Sequence, residues 1–159
     1  MSQRIDAFKQ SPEQIQKLVE FSTCVDDCGI EKTILLLVSI RASQINGCAF
    51  CLDMHVKEAR LNGERELRLY HLPAWRESTL FEPRERAALA WTEALTKLGE
   101  LGVPDELYER VLKHYSEKEL SDLTFAVMAI NAWNRLNIAF RKVPGSADTA
   151  YGLDKANLR

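Results

Sequence analysis

Glycine and proline are scarce in this sequence, seven and five among 159 residues, and no stretch alternates apolar and polar residues over a useful length. Together these exclude a domain built of strands and tight hairpins. Apolar runs such as Ile34–Val38 are far too short to span a bilayer, and the opening Met-Ser-Gln-Arg-Ile-Asp lacks the apolar core of a secretory signal. Neither sign of charge dominates. The net charge is −2, acids and bases are interspersed, and a pI near 6.0 leaves no basic footprint for nucleic acid. Internal repeats and low-complexity segments are absent. What remains is a cytoplasmic single domain over residues 1–159, long enough to bury a core without disulfide or metal staples. Its four cysteines are therefore available for chemistry.

Reactive side chains and helical spacing coincide in one stretch, Arg41-Ala-Ser-Gln-Ile-Asn-Gly-Cys-Ala-Phe-Cys-Leu-Asp-Met-His55. Cys48 precedes Cys51 by three residues and His55 follows Cys51 by four, which puts a dithiol and a base on one helix face within two turns. Asn46-Gly47 reads as a turn feeding a helix start. There, free backbone N–H groups and the macrodipole favour a thiolate, the reactive form of cysteine.

The rest of the chain reads as helices. Ser11-Pro12-Glu13-Gln14 is a capping box with proline at the first helical position. It opens a helix that runs toward Asp27, stops near Gly29, and buries Leu18 and Phe21. One turn on, Cys24 and Cys28 read as small buried hydrophobes. The alternative for them is a Zn²⁺ site with Cys48, Cys51 and His55, although no second compact Cys-His cluster follows. Ile30–Ile45 is apolar almost all round, as a helix at the centre of a bundle would be, with Lys32, Leu36, Ser39 and Ser43 on one side. The helix carrying the cysteines ends at Asn62-Gly63. A short helix from Glu64 to Leu72 is halted by Pro73, and a loop follows with Trp75. Pro83 starts a helix that Gly99 and Gly102 end, and Pro104 opens a short one to Tyr115. Ser116-Glu117-Lys118-Glu119 is a second capping box, launching the longest helix to about Phe140. His71 and His114 read as ordinary surface histidines, and Trp91 and Trp133 as core. Asn131, Asn134 and Arg135 read as a polar seam at a subunit contact, or alternatively as substrate-facing groups. After Pro144 the tail is expected to be weakly ordered or docked on a partner. The sum is an all-α, single-domain bundle of six to seven helices.

These residues also carry a resemblance. The Arg41–His55 stretch, together with Pro83-Arg-Glu-Arg-Ala-Ala-Leu-Ala-Trp-Thr-Glu-Ala and Asn131-Ala-Trp-Asn-Arg, resembles the alkylhydroperoxidase D-like branch of the carboxymuconolactone decarboxylase family. The similarity covers about two-thirds of the chain. It implies an all-helical fold, homo-oligomers such as trimers or hexamers, and thiol-dependent reduction of hydroperoxides with neither cofactor nor metal. By position, Cys51 would be the peroxidatic cysteine, Cys48 the resolving one, and His55 part of the proton relay. Two positions depart from the full pattern. Leu36 stands where such enzymes have a glutamate, and Phe50 where they have a histidine. Asp53, Glu31 or another subunit must then supply the relay acid, and peroxidase turnover should otherwise be low.

A peroxidase that closes a Cys48–Cys51 disulfide and is recharged by an external dithiol is thus the expected function. The rivals are γ-lactone decarboxylation, against which the dithiol argues, and a non-catalytic redox-sensing oligomer.

Overall fold

The computed structural model describes residues 2–158. Among them no strand occurs, and the chain forms helices α1 (Ala7–Gln10), α2 (Pro12–Asp26), α3 (Lys32–Asn46), α4 (Ala49–Leu61), α5 (Glu66–His71), α6 (Pro83–Thr96), α7 (Asp105–Leu112), α8 (Glu117–Phe140) and α9 (Asp148–Tyr151). Two 3₁₀ turns, Leu72–Ala74 and Leu153–Ala156, complete the list. The six to seven helices expected from the sequence correspond to α2–α8. The two extra ones are single turns near the chain ends, too short to show a hydrophobic period.

Helix α3 is the axis of the bundle and packs on α4, α6 and α8. Its side chains are buried on nearly every face because the sequence is apolar on nearly every face: Leu37, Val38, Ile40 and Ala42 are at most 1% exposed. At roughly 1.5–3 kcal/mol for each large aliphatic side chain removed from water, this helix anchors the fold. One side of it joins α2, α6, α7 and α8 around Ile34, Val38, Trp91, Leu123 and Val127. The other joins α4, α5 and α6 around Leu36, Ile40, Leu69, Trp75 and Leu89.

The caps explain several boundaries. Ser116 and Glu119 form the expected reciprocal box at the start of α8, an interaction worth about 1 kcal/mol. Ser11 does not cap α2 with its side chain: it is also the C-cap of α1, and that junction holds it at φ −137°, ψ 59°. Helix α2 ends at Asp26, leaving Cys28 on the turn beyond it. Cys24 is exposed and Cys28 half-buried, so neither is the buried hydrophobe expected.

The tail also departs from expectation, because it docks on its own chain. The Lys57 ammonium of α4 lies 2.9 Å from Asp53 and 2.7 Å from Asp148 of α9, the Gly145 N–H donates to the same Asp53 carboxylate, and Leu153 is buried. At the other end, the Arg4 N–H donates to the Phe140 carbonyl and the Phe8 ring stacks on Trp133 at 6.4 Å. No helix among the described residues is long and apolar enough to cross a membrane.

Candidate active site

Helices α3 and α4 are joined by two residues. Gly47 takes a left-handed conformation, φ 71°, which glycine alone adopts without steric cost. The next residue, Cys48, is the N-cap of α4. Its sulfur occupies the place of a capping hydroxyl and accepts the Cys51 N–H at 3.4 Å. The two sulfurs are 2.8 Å apart, well beyond the ~2.05 Å of a disulfide. This is a reduced pair in contact, and both cysteines are only 2% exposed.

The surroundings treat the two thiols differently. The Cys48 S–H points at Cys51 and holds the Cys51 thiol well below the ordinary thiol range. Burial opposes that shift, while the amides of Asn137 and Asn134 and the nearby His55 reinforce it. The Asn137 Nδ2 donates directly to the Cys51 sulfur at 3.3 Å. Asn134 also contributes, while its Nδ2 donates to the Ser43 hydroxyl at 3.0 Å. Contact with Cys51 and burial together push the Cys48 thiol up. The pair thus resembles one shared proton residing on Cys48.

Behind the dithiol is a polar seam in an otherwise apolar interior. The Asn46 Nδ2, at the end of α3, donates to Asn131 at 3.0 Å and to Asn134 at 2.8 Å. Asn131 in turn donates to Thr96 and to the Val127 carbonyl, and Arg135 donates to Asn131. Asn134 is fully buried and Asn131 nearly so. Asn131 and Asn134 are therefore no subunit contact; with Asn46 and Asn137 they form the wall of the site.

His55 lies one turn beyond Cys51 on α4, and among the described residues no hydrogen bond joins the two. Its Nδ1 faces the Glu58 carboxylate at 3.1 Å. The other Glu58 oxygen lies 2.9 Å from the Lys32 ammonium of α3. Burial disfavours the Glu58 charge, yet the hydrogen bonds from His55 and Lys32 outweigh it and hold its carboxyl down at about 2. The acids nominated from sequence are engaged elsewhere, Asp53 by Lys57 and Glu31 by Arg84. Leu36 is buried among aliphatic neighbours. Sequence reasoning missed Glu58 and Asn137. Each had a signal: Glu58 is one helical turn from His55, and Asn137 continues the three-residue spacing of Asn131 and Asn134.

Among the described residues no three His, Cys, Asp or Glu side chains converge to hold a metal ion, so Cys24 and Cys28 do not join the dithiol in a zinc site. A cavity of about 10 Å³, room for roughly one water, lies over Asn137 and is roofed by Ile5, Phe8, Phe140 and Lys142. His71 is exposed and bonds Ser78.

Comparison with known proteins shows where this sequence and fold recur. Residues 12–94 match the carboxymuconolactone decarboxylase family. The uncharacterised protein YdfG of Bacillus subtilis is 43% identical over 139 residues, spanning 87% of this chain and 95% of its own length. A crystal structure of a protein of unknown function from Agrobacterium tumefaciens superposes with a TM-score of 0.87 at 41% identity, covering 90% of this chain and 98% of that one. The debrominase Bmp8 shares the fold at a TM-score of 0.78 and 19% identity, over 94% of this chain and 80% of its own.

Proposed function

The chain belongs to the carboxymuconolactone decarboxylase family, and from that premise we propose that it is a thiol-dependent peroxidase of the alkylhydroperoxidase D type, acting in a reducing compartment such as the cytoplasm. One observation carries the reading: two buried sulfurs in contact, with the surroundings favouring the thiolate on Cys51 alone. The Agrobacterium relative has been described as a candidate antioxidant defence protein AhpD, which agrees with it.

The reaction follows from this asymmetry. The Cys51 thiolate attacks the distal oxygen of ROOH, an S–O bond forms as the O–O bond breaks, and the leaving alkoxide takes a proton to depart as ROH. His55 is the group placed to move that proton. Cys48 then attacks the sulfenic sulfur, forming the S–S bond and releasing water. Two electrons have passed from the dithiol to the peroxide. An external dithiol must return them by exchange through a mixed disulfide.

A homo-oligomer belongs to the same reading. Tyr108, Phe125 and Met128 are 43–52% exposed and border an open groove of about 490 Å³, an apolar surface that a second copy would cover. Light scattering on a gel-filtered sample tests this, and a mass of 18.1 kDa at micromolar concentration would rule it out.

The deciding experiment for the activity is peroxide consumption with a panel of dithiol reductants, with thiols titrated before and after. Many turnovers per dithiol and loss of two thiols per peroxide are expected. Oxidation that stops after one equivalent with every reductant would replace the peroxidase by a redox sensor. Inertness to peroxides together with turnover of a γ-lactone would replace it by lactone chemistry.

A further inference from the structure

The His55 ring would be free to rotate unless something held it. Helices α3 and α4 run antiparallel through the two-residue turn, and Lys32 of α3 reaches Glu58 of α4. One turn closer to the turn on each helix, Leu36 and His55 come level. Leu36 itself is buried in an apolar cluster, and among the described residues the only carboxylate hydrogen-bonded to the ring is Glu58. We propose that Glu58 is the positioning residue of the Cys51–His55 pair: anchored by Lys32, its carboxylate fixes the imidazole through Nδ1 and leaves Nε2 as the atom that exchanges a proton with the reacting thiol and the departing alkoxide.

Geometry and charge agree on this assignment. An Nδ1–H donated to Glu58 sets the tautomer, and the carboxylate stabilises the imidazolium that forms when the ring takes a proton. Lys32 holds one oxygen at 2.9 Å and is itself held by Asp26 at 3.1 Å, so the Glu58 oxygen that does not meet His55 is anchored. With both Glu58 oxygens engaged and the side chain 26% exposed, the carboxylate is ionised throughout the range in which thiols react.

The inference rests on the thiol peroxidase reading, and its test separates the two. The titratable and charged groups facing the unit are Cys48 at the N-cap of α4, Cys51 and Glu58 on α4, Lys32 on α3 and Asp26 at the end of α2, with Lys57, Asp53 and Asp148 paired under the tail. Alkylation of Cys51 by iodoacetamide, followed by peptide mass spectrometry across pH, reports the thiolate without any peroxide. Losing the Glu58 charge alone would favour the Cys51 thiolate and move the profile to lower pH. Losing the positioned imidazolium moves it to higher pH, and that upward displacement is expected for Glu58→Gln. In the same variant the second-order rate with peroxide should fall by about 10- to 100-fold. In a His55→Asn background, Glu58→Gln should add no further upward displacement, because the two act as one unit. Glu58→Asp should be displaced less than Glu58→Gln, and it decides the matter if the glutamine variant does not fold. An unchanged or downward profile in the folded variants, or additive upward displacements with His55→Asn, would overturn the assignment. A wild type inert to peroxides whose alkylation profile still responds to Glu58→Gln would instead keep the assignment and sink the peroxidase reading.

Discussion

Two cysteine pairs of similar spacing occupy one small bundle, and their surroundings have little in common. Cys48 and Cys51 lie at a helix start, in contact, sealed from solvent and faced by two asparagine amides and a histidine. Cys24 and Cys28 straddle a helix end, one exposed and the other on the turn beyond. An i,i+3 or i,i+4 interval brings sulfurs together only while the backbone keeps its helical course, and α2 stops between its two cysteines. On the proposed reading, the difference teaches that reactivity at such a pair comes from the cap, the amides and the base rather than from the interval. Three of those features can be removed one at a time.

The largest effect should come from the nucleophile. Cys51→Ser should lower the peroxide rate more than about 10³-fold, whereas Cys24→Ser/Cys28→Ser should leave it within about twofold in stopped-flow assays. In Cys48→Ser the sulfenic acid should persist on Cys51 and be trapped by dimedone; trapping on Cys24 would erase the contrast between the pairs. Next come the amides. Asn137→Leu removes a hydrogen bond to a charged sulfur, worth about 1.5 kcal/mol, so Cys51 alkylation should be displaced upward by about one pH unit while that of Cys24 stays in place. The same probe on both thiols makes the exposed pair an internal control. A stability effect of similar size is expected from Asn46→Ala, which strips a donor from two buried carbonyl oxygens and should lower the urea-unfolding free energy by about 1–3 kcal/mol. Last comes the acid limb, which is read on stability and not on rate. The Glu58 carboxyl sits at about 2 in the fold and near 4.3 in an unfolded chain. Its contribution is therefore fully present above about pH 4.3 and is lost as pH falls toward 2. Glu58→Gln should flatten stability against pH in that window and nowhere else.

Much of the bundle was legible because its signals are local. The all-round apolarity of Ile30–Ile45 marked the central helix, the Ser116–Glu119 box marked the start of α8 to the residue, and Asn46-Gly47 marked the turn before the dithiol. What was not legible depends on contacts between distant segments. Nothing near Pro144 announces that Asp148 will reach Lys57 on α4, and nothing near Asn131 announces that its amide will meet Asn46 across 85 residues. The same asparagines on an apolar helix fit a subunit seam equally well until the neighbouring helix is in place. Glu58 was missed for another reason. The resemblance directed attention to the vacant acid position at Leu36, while the carboxylate sat one turn beyond the histidine.

The seal over the dithiol has a kinetic meaning. A thiol that is 2% exposed, packed among Ala42, Ile130, Phe50 and Trp133, reacts only while that packing is open. Its observed rate constant is then the intrinsic one multiplied by the fraction of time spent open. A closed-to-open ratio of about 100:1, roughly 2.7 kcal/mol, would make a fast nucleophile look a hundredfold slower without any change in its chemistry. Reagents in excess would then converge on one ceiling rate set by the opening, whatever their own reactivity, and a faster protein could be made by loosening the packing around the sulfurs without touching them.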